Sequence, residues 1–161
     1  MTQSESVHFT VRGLSTEPFQ ALFDLSDDEL EKRRARRLVA DSNPGFPCRV
    51  SLQDAELGEE LILTNFVHLD SQSPFHSTHA IYVRKGVTTA APYRDALPEM
   101  LRSRLLSIRA FDANDMLLGA DVVEGEQADH VIQKFFEDSR VRFLHVHFAK
   151  MGCYACRIDR E

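Results

Sequence analysis

The chain has 161 residues, 43% of them hydrophobic and 27% charged, which fits one globular domain over residues 1–161 with enough length to bury a sizeable core. A net charge of -6 and a pI near 5.6 exclude a nonspecific nucleic-acid binder, because phosphate recognition needs a surplus of clustered Lys and Arg. No apolar run reaches the roughly 18 to 20 residues of a membrane span, and Met1 to Ser6 lacks the apolar core of a signal peptide, so the expected location is cytoplasmic.

Val7, Phe9 and Val11 alternate with polar residues, the period of a half-buried strand ending at Gly13-Leu14. Ser15 then caps a short helix carrying Phe19, Leu22 and Phe23 on one face. Ser26-Asp-Asp-Glu29 reads as a capping box, with acids early and Lys32, Arg33, Arg34, Arg36 and Arg37 late, and predicts a helix running to about Val39. On that reading the basic run is a solvated helix face rather than an anion or nucleic-acid patch.

After the turn cluster Asn43-Pro44-Gly45-Phe46-Pro47, the stretch Cys48 to Leu52 alternates as a strand with Cys48, Val50 and Leu52 inward. Leu61 to His68 reads as a longer strand whose Ile62, Thr64, Phe66 and His68 share a face. His79 to Arg84 forms another, followed by a loop and one helical turn near Pro98 to Arg102. Leu105 to Phe111 and Met116 to Val123 flank a turn at Asp112 to Asp115, the pattern of an antiparallel hairpin. Glu126 to Asp138 predicts an amphipathic helix lying on the sheet, and the tail from Arg142 predicts two strands joined at Gly152. The predicted class is therefore α+β: a curved, mainly antiparallel sheet or partly closed barrel with two to four flanking helices.

Chemistry-bearing residues concentrate in the tail. Within Phe143-Leu-His145-Val-His147, strand periodicity puts both histidines on one face, about 6.6 to 7 Å apart. A His-x-His pair can supply two metal ligands, with His79, His68, Asp121 or Cys153 as candidates for a third. A metal is one reading and not the favoured one; histidines that fill a half-polar sheet face are the alternative. Cys153-Tyr-Ala-Cys156 has redox or zinc spacing, but on a strand residues three apart face opposite sides, grouping Cys153 with Arg157 and Cys156 with Tyr154. Three cysteines form an odd set best read as reduced thiols. Cys153 with a tail histidine and Asp121 or Asp159 also has the residue types of a Cys-His nucleophile site, with no spacing signature behind it.

Arg49, Arg84, Arg109, Arg157 and Asp121 stand inside otherwise apolar strands, where a charge must face solvent or find a partner. Gathered on one concave face, His79, Arg109, Asp121, His145, His147 and Arg157 would line a pocket for a small polar or anionic molecule. The competing expectation is an interaction or structural module in which these groups satisfy one another.

Several segments together resemble a bacterial family known as domain of unknown function 1203: Phe9 to Leu14, Pro44 to Leu52, His79 to Arg84, Leu106 to Asp112, Ala120 to Val123, Leu144 to His147, and Gly152 to Ala155 with Arg157 to Arg160. The resemblance implies one domain of the bacterial cytoplasm and carries no activity, cofactor or catalytic residue. Where the family pattern has Ala, this chain has Cys156, which weakens a dithiol role further.

Overall fold

A computed structural model describes residues 5–161. Its architecture is α+β, with two antiparallel sheets and no closed barrel. The larger sheet has six strands in the order β5-β1-β9-β8-β6-β7. These are β1 (Phe9–Arg12), β5 (Tyr93–Arg94), β6 (Leu105–Phe111), β7 (Leu117–Glu124), β8 (Phe143–Phe148) and β9 (Tyr154–Arg160). The smaller sheet orders β2 (Ala35–Val39), β3 (Glu60–Leu69) and β4 (Ser77–Arg84) in sequence.

Alternation in the tail strands produces two faces with different partners. Leu144, Val146, Cys156 and Ile158, with Leu106 and Ile108 of β6, are fully buried against α3 (Glu99–Arg102) and α4 (Ala128–Phe136), which contribute Met100, Leu101, Ile132 and Phe136. The expected amphipathic helix thus lies on the sheet, burying Val131, Ile132 and Phe136. The opposite face carries Phe143, His145, His147 and Tyr154, and meets β3 and β4 of the smaller sheet. A single curved sheet would leave this face to solvent; the second sheet is what makes it an interior.

The N-terminal segments pack on the smaller sheet. Phe19 of α1 (Glu17–Gln20) sits 5.5 Å from the Phe66 ring. The capping box at Ser26 is formed by both of its hydrogen bonds, but α2 spans only Asp27–Lys32. Arg34 adopts a left-handed backbone (φ 57) and the chain turns into β2, which pairs with β3 from Ala35↔Thr64 to Val39↔Glu60. The predicted extension to Val39 therefore fails, because the ladder to β3 competes with helix propagation and wins. The basic run is divided: Lys32 ends the helix, Arg33 and Arg34 form the turn, and Arg36 and Arg37 lie in β2, where Arg36 pairs with Glu31, and Arg37 with Glu60 and Asp27.

Cys48 to Leu52 is likewise not a strand. Cys48 makes one parallel bridge to Tyr82, and the chain then turns, with Leu52 at φ 55. Its apolar alternation still records burial: Cys48 and Val50 enter the core under the smaller sheet, and Leu52 that of the larger. The other strands that periodicity predicts, the hairpin and the turn near Pro98 stand where it puts them, but the expected loop before Pro98 holds the two-residue strand β5, which pairs with β1.

Candidate metal centre and adjoining cleft

Four histidines meet between the sheets. His145 and His147 share a face of β8, their ring centres 6.4 Å apart, and both are 1% exposed. Pairing of Phe66 with His79 puts His79 on the inner face of the smaller sheet. His68, two residues beyond Phe66 at a bulge in β3, lies on that face too. Its ring is 5.5 Å from His145, 5.1 Å from His147 and 4.8 Å from His79. One ring nitrogen from each of His68, His145 and His147 falls within 4.8 Å of the others.

Hydrogen bonding sets the tautomer of His147. His147 Nδ1 lies 2.9 Å from the Gly152 carbonyl, which only accepts, so Nδ1 carries the proton and Nε2 keeps its lone pair. Among the described residues the one protein donor near that lone pair is Arg109 Nη1, at a long 3.4 Å. His68 Nε2 and His79 Nδ1 share a 2.7 Å bond. The Nδ1 atoms of His68 and His145 are buried without any partner. An unpaired buried polar atom costs about 1 to 3 kcal/mol, so these two nitrogens are the ones in the cluster with bonding capacity left over.

Burial also keeps these rings neutral. It lowers the pKa of His145 and His147 to about 3, helped by the positive Arg109 and neighbouring imidazoles, and that of His68 to about 4. Aromatic rings enclose the cluster. Tyr154 stacks flat on His68 at 4.8 Å, while Phe111 and Phe143 flank His145 at 5.5 and 5.2 Å. Burial drives the Tyr154 hydroxyl strongly towards its neutral form.

A cleft of about 910 Å³ opens beside the cluster, with Arg49, His79, Tyr82, Arg104, Lys150 and Cys153 in its wall. His79 belongs to both; His145 and His147 lie behind the cleft rather than in its wall. Arg104 is neutralised by a two-point pair with Asp54 at 2.6 and 2.9 Å. Arg49, 1% exposed, is held by the Tyr154 and Pro47 carbonyls and by Cys153 Sγ at 3.2 Å, and stacks over Phe148. Among the described residues no carboxylate lies within 4.0 Å of Arg49 or Arg109, and both guanidinium groups, Arg109 first, depress the His79 pKa after burial itself.

Of the residues singled out in the sequence, the fold gathers His79, Arg109, His145 and His147. Arg157 stands opposite His145 in the β8–β9 register, but its guanidinium covers Phe143 at 4.0 Å and pairs with Asp159. Asp121 is not in the cluster: it pairs with Ile108, whose side chain enters the helix-side core, and is exposed on β7 with its carboxylate bonded to the Val122 amide. The two tail cysteines do separate, Cys156 into the helix-side core and Cys153 to the cleft, but Tyr154 does not follow Cys156. A bulge sets Tyr154 against His147 and Cys156 against Val146, so Ala155 is the extra residue and Tyr154 joins the histidines.

His68 appears in the sequence only as one of four possible third ligands, although the shared face with Phe66 already pointed inward. Arg49 reads from sequence as one more strand arginine; its role depends on the turn at Cys48 to Leu52.

Comparison with curated proteins and with solved structures returned no significant match. A family model described as "Protein of unknown function (DUF1203)" matches residues 45–160, a span that holds every histidine of the cluster and every wall residue of the cleft named above. The chain belongs to the DUF1203 family.

Proposed function

We propose that this chain is a binding domain for a small, polar, anionic molecule, seated in the cleft against His79. The observation that carries the reading is the pair of guanidinium groups, Arg49, fully buried in the cleft wall, and Arg109, half-buried beside His147, with no carboxylate among the described residues within 4.0 Å to balance either. Burial lowers the pKa of both, which records the cost of holding those charges there. A ligand anion lowers that cost, and neutral imidazoles beside it supply donors of fixed direction. Lys150, exposed at the cleft wall, adds charge where an anion enters. Three free cysteines accord with a reducing, cytoplasmic setting, to which we assign it.

The test is a thermal-shift panel of inorganic phosphate, sulfate, citrate and oxalate at constant ionic strength, on chelator-treated protein. At least one anion is expected to raise the melting temperature of the wild type saturably, and Arg109→Leu to lose that rise. An interaction or structural module in which the charges serve only the fold would show no saturable rise with any of them, or the same rise in the variant.

A further inference from the structure

We infer that His68, His145 and His147 form a binding site for one divalent transition-metal ion of the zinc class, using neutral imidazole nitrogens from two different sheets. The inference goes beyond anion binding and rests on a separate set of atoms.

Three observations support it independently. First, ligand geometry: a tetrahedral ion with Zn–N bonds of about 2.1 Å holds its nitrogens about 3.4 Å apart, so the present spread of 4.8 Å needs about 1.4 Å of closure at its widest. Rotation of ring planes supplies a shift of that size without moving a strand. Second, the outer bonds are already in place. Metal-bound histidine donates its other N–H to a carbonyl or similar group, which fixes the tautomer. His147 does this through the Gly152 carbonyl, and His68 has the equivalent partner in His79. With His68 Nε2 donating to His79, the lone pair of the cluster falls on His68 Nδ1, one of the two buried nitrogens without a partner. Third, His145, 1% exposed, holds the other such nitrogen, enclosed by Phe111, Phe143, Tyr154 and the cluster itself.

The surroundings narrow the ion. Among the described residues no carboxylate joins the three histidines in the cluster, which is unsuited to Mg2+ or Ca2+, ions that demand oxygen ligands. Imidazole nitrogens suit Zn2+, Co2+, Ni2+ and Cu2+. Arg109, 3.4 Å from His147, opposes a bare dication, so the fourth position goes to an anionic oxygen, hydroxide or an acid group from the cleft, balanced by that guanidinium. The route in passes His79, which faces both the cleft and His68.

The test uses tag-free, full-length protein stripped by chelator and titrated with Co2+ in phosphate-free buffer. The expected result is one equivalent bound, with the visible absorption of a four- or five-coordinate site, bleached by Zn2+ and untouched by Mg2+. His79→Ala is expected to weaken Co2+ by about 10-fold and His145→Ala by more than the roughly 100-fold upper range for losing such an outer partner. His130→Ala, on the surface of α4, leaves it unchanged. Absence of the visible band in the wild type, or a band of equal affinity in a folded His145→Ala, overturns the inference; the wild-type titration decides alone if that variant does not fold. Because it is run without the anions of the thermal-shift panel, failure here leaves the anion reading to that panel, and the reverse.

Discussion

Arg49 shows how much one buried side chain can organise. Its three nitrogens tie the turn after Pro47 to the start of β9 through the Pro47 and Tyr154 carbonyls and Cys153 Sγ, while its plane stacks over Phe148. Lysine cannot reproduce a planar fork, so Arg49→Lys is expected to cost about 2 kcal/mol in urea denaturation, and a loss under half a kcal/mol would show the fork to be dispensable. The histidines carry a pH signature of their own in the metal-free protein. Their folded-state pKa values, about 3 for His145 and His147, lie below the ordinary 6.5, so the unfolded chain takes up protons first. Stability is then complete above about pH 6.5 and falls as pH drops, by about 2 kcal/mol per buried histidine between pH 6.5 and 5. Denaturation midpoints that stay flat over that window would mean the rings are not buried and neutral.

At the scale of elements, close approach decides what can change. A Cβ on Gly125, at the turn into α4, would lie 1.9 Å from the Leu101 carbonyl oxygen and 2.7 Å from Arg102 backbone atoms. Neither neighbour is a flexible side chain, so Gly125→Ala is expected to destabilise by about 3 kcal/mol or more, read as a lowered denaturation midpoint. Ser26→Ala removes one half of a formed capping box and should cost about 1 kcal/mol. The same cap was legible in the sequence, and the strands β3, β4 and β6 to β9 were legible from their alternation. What local pattern could not reveal was competition between structures. Ala35 to Val39 continues a helix on local propensity and becomes strand only because β3 offers a ladder. The bulge at Ala155 is a one-residue slip with no signature of its own, and it alone moves Tyr154 from the Cys156 side to the histidine side. The His-x-His pair in β8 was readable by counting in twos; its closure by His68 required knowing that a second sheet lies opposite.

Over the whole molecule, the larger sheet has a helix-covered apolar face and a sheet-covered face where polar groups collect. Among the described residues no helix is long and apolar enough to cross a membrane. The polar layer costs stability, since Arg109 is partly buried on two long bonds, 3.3 Å to Ser107 and 3.4 Å to His147. Arg109→Leu is therefore expected to leave the ligand-free protein as stable as the wild type or more so, while abolishing anion binding, the trade expected of a functional group. A clear loss of stability would mark Arg109 as a structural tie.

Imidazole 15N NMR of the chelator-treated wild type, titrated with the anion that gives the largest thermal shift, tests the central claim most directly. The account predicts saturable shifts in the ring nitrogens of His79 and His147, with those of the exposed His8 and His130 unmoved. Shifts confined to His8 and His130, or none at any ring, would contradict it.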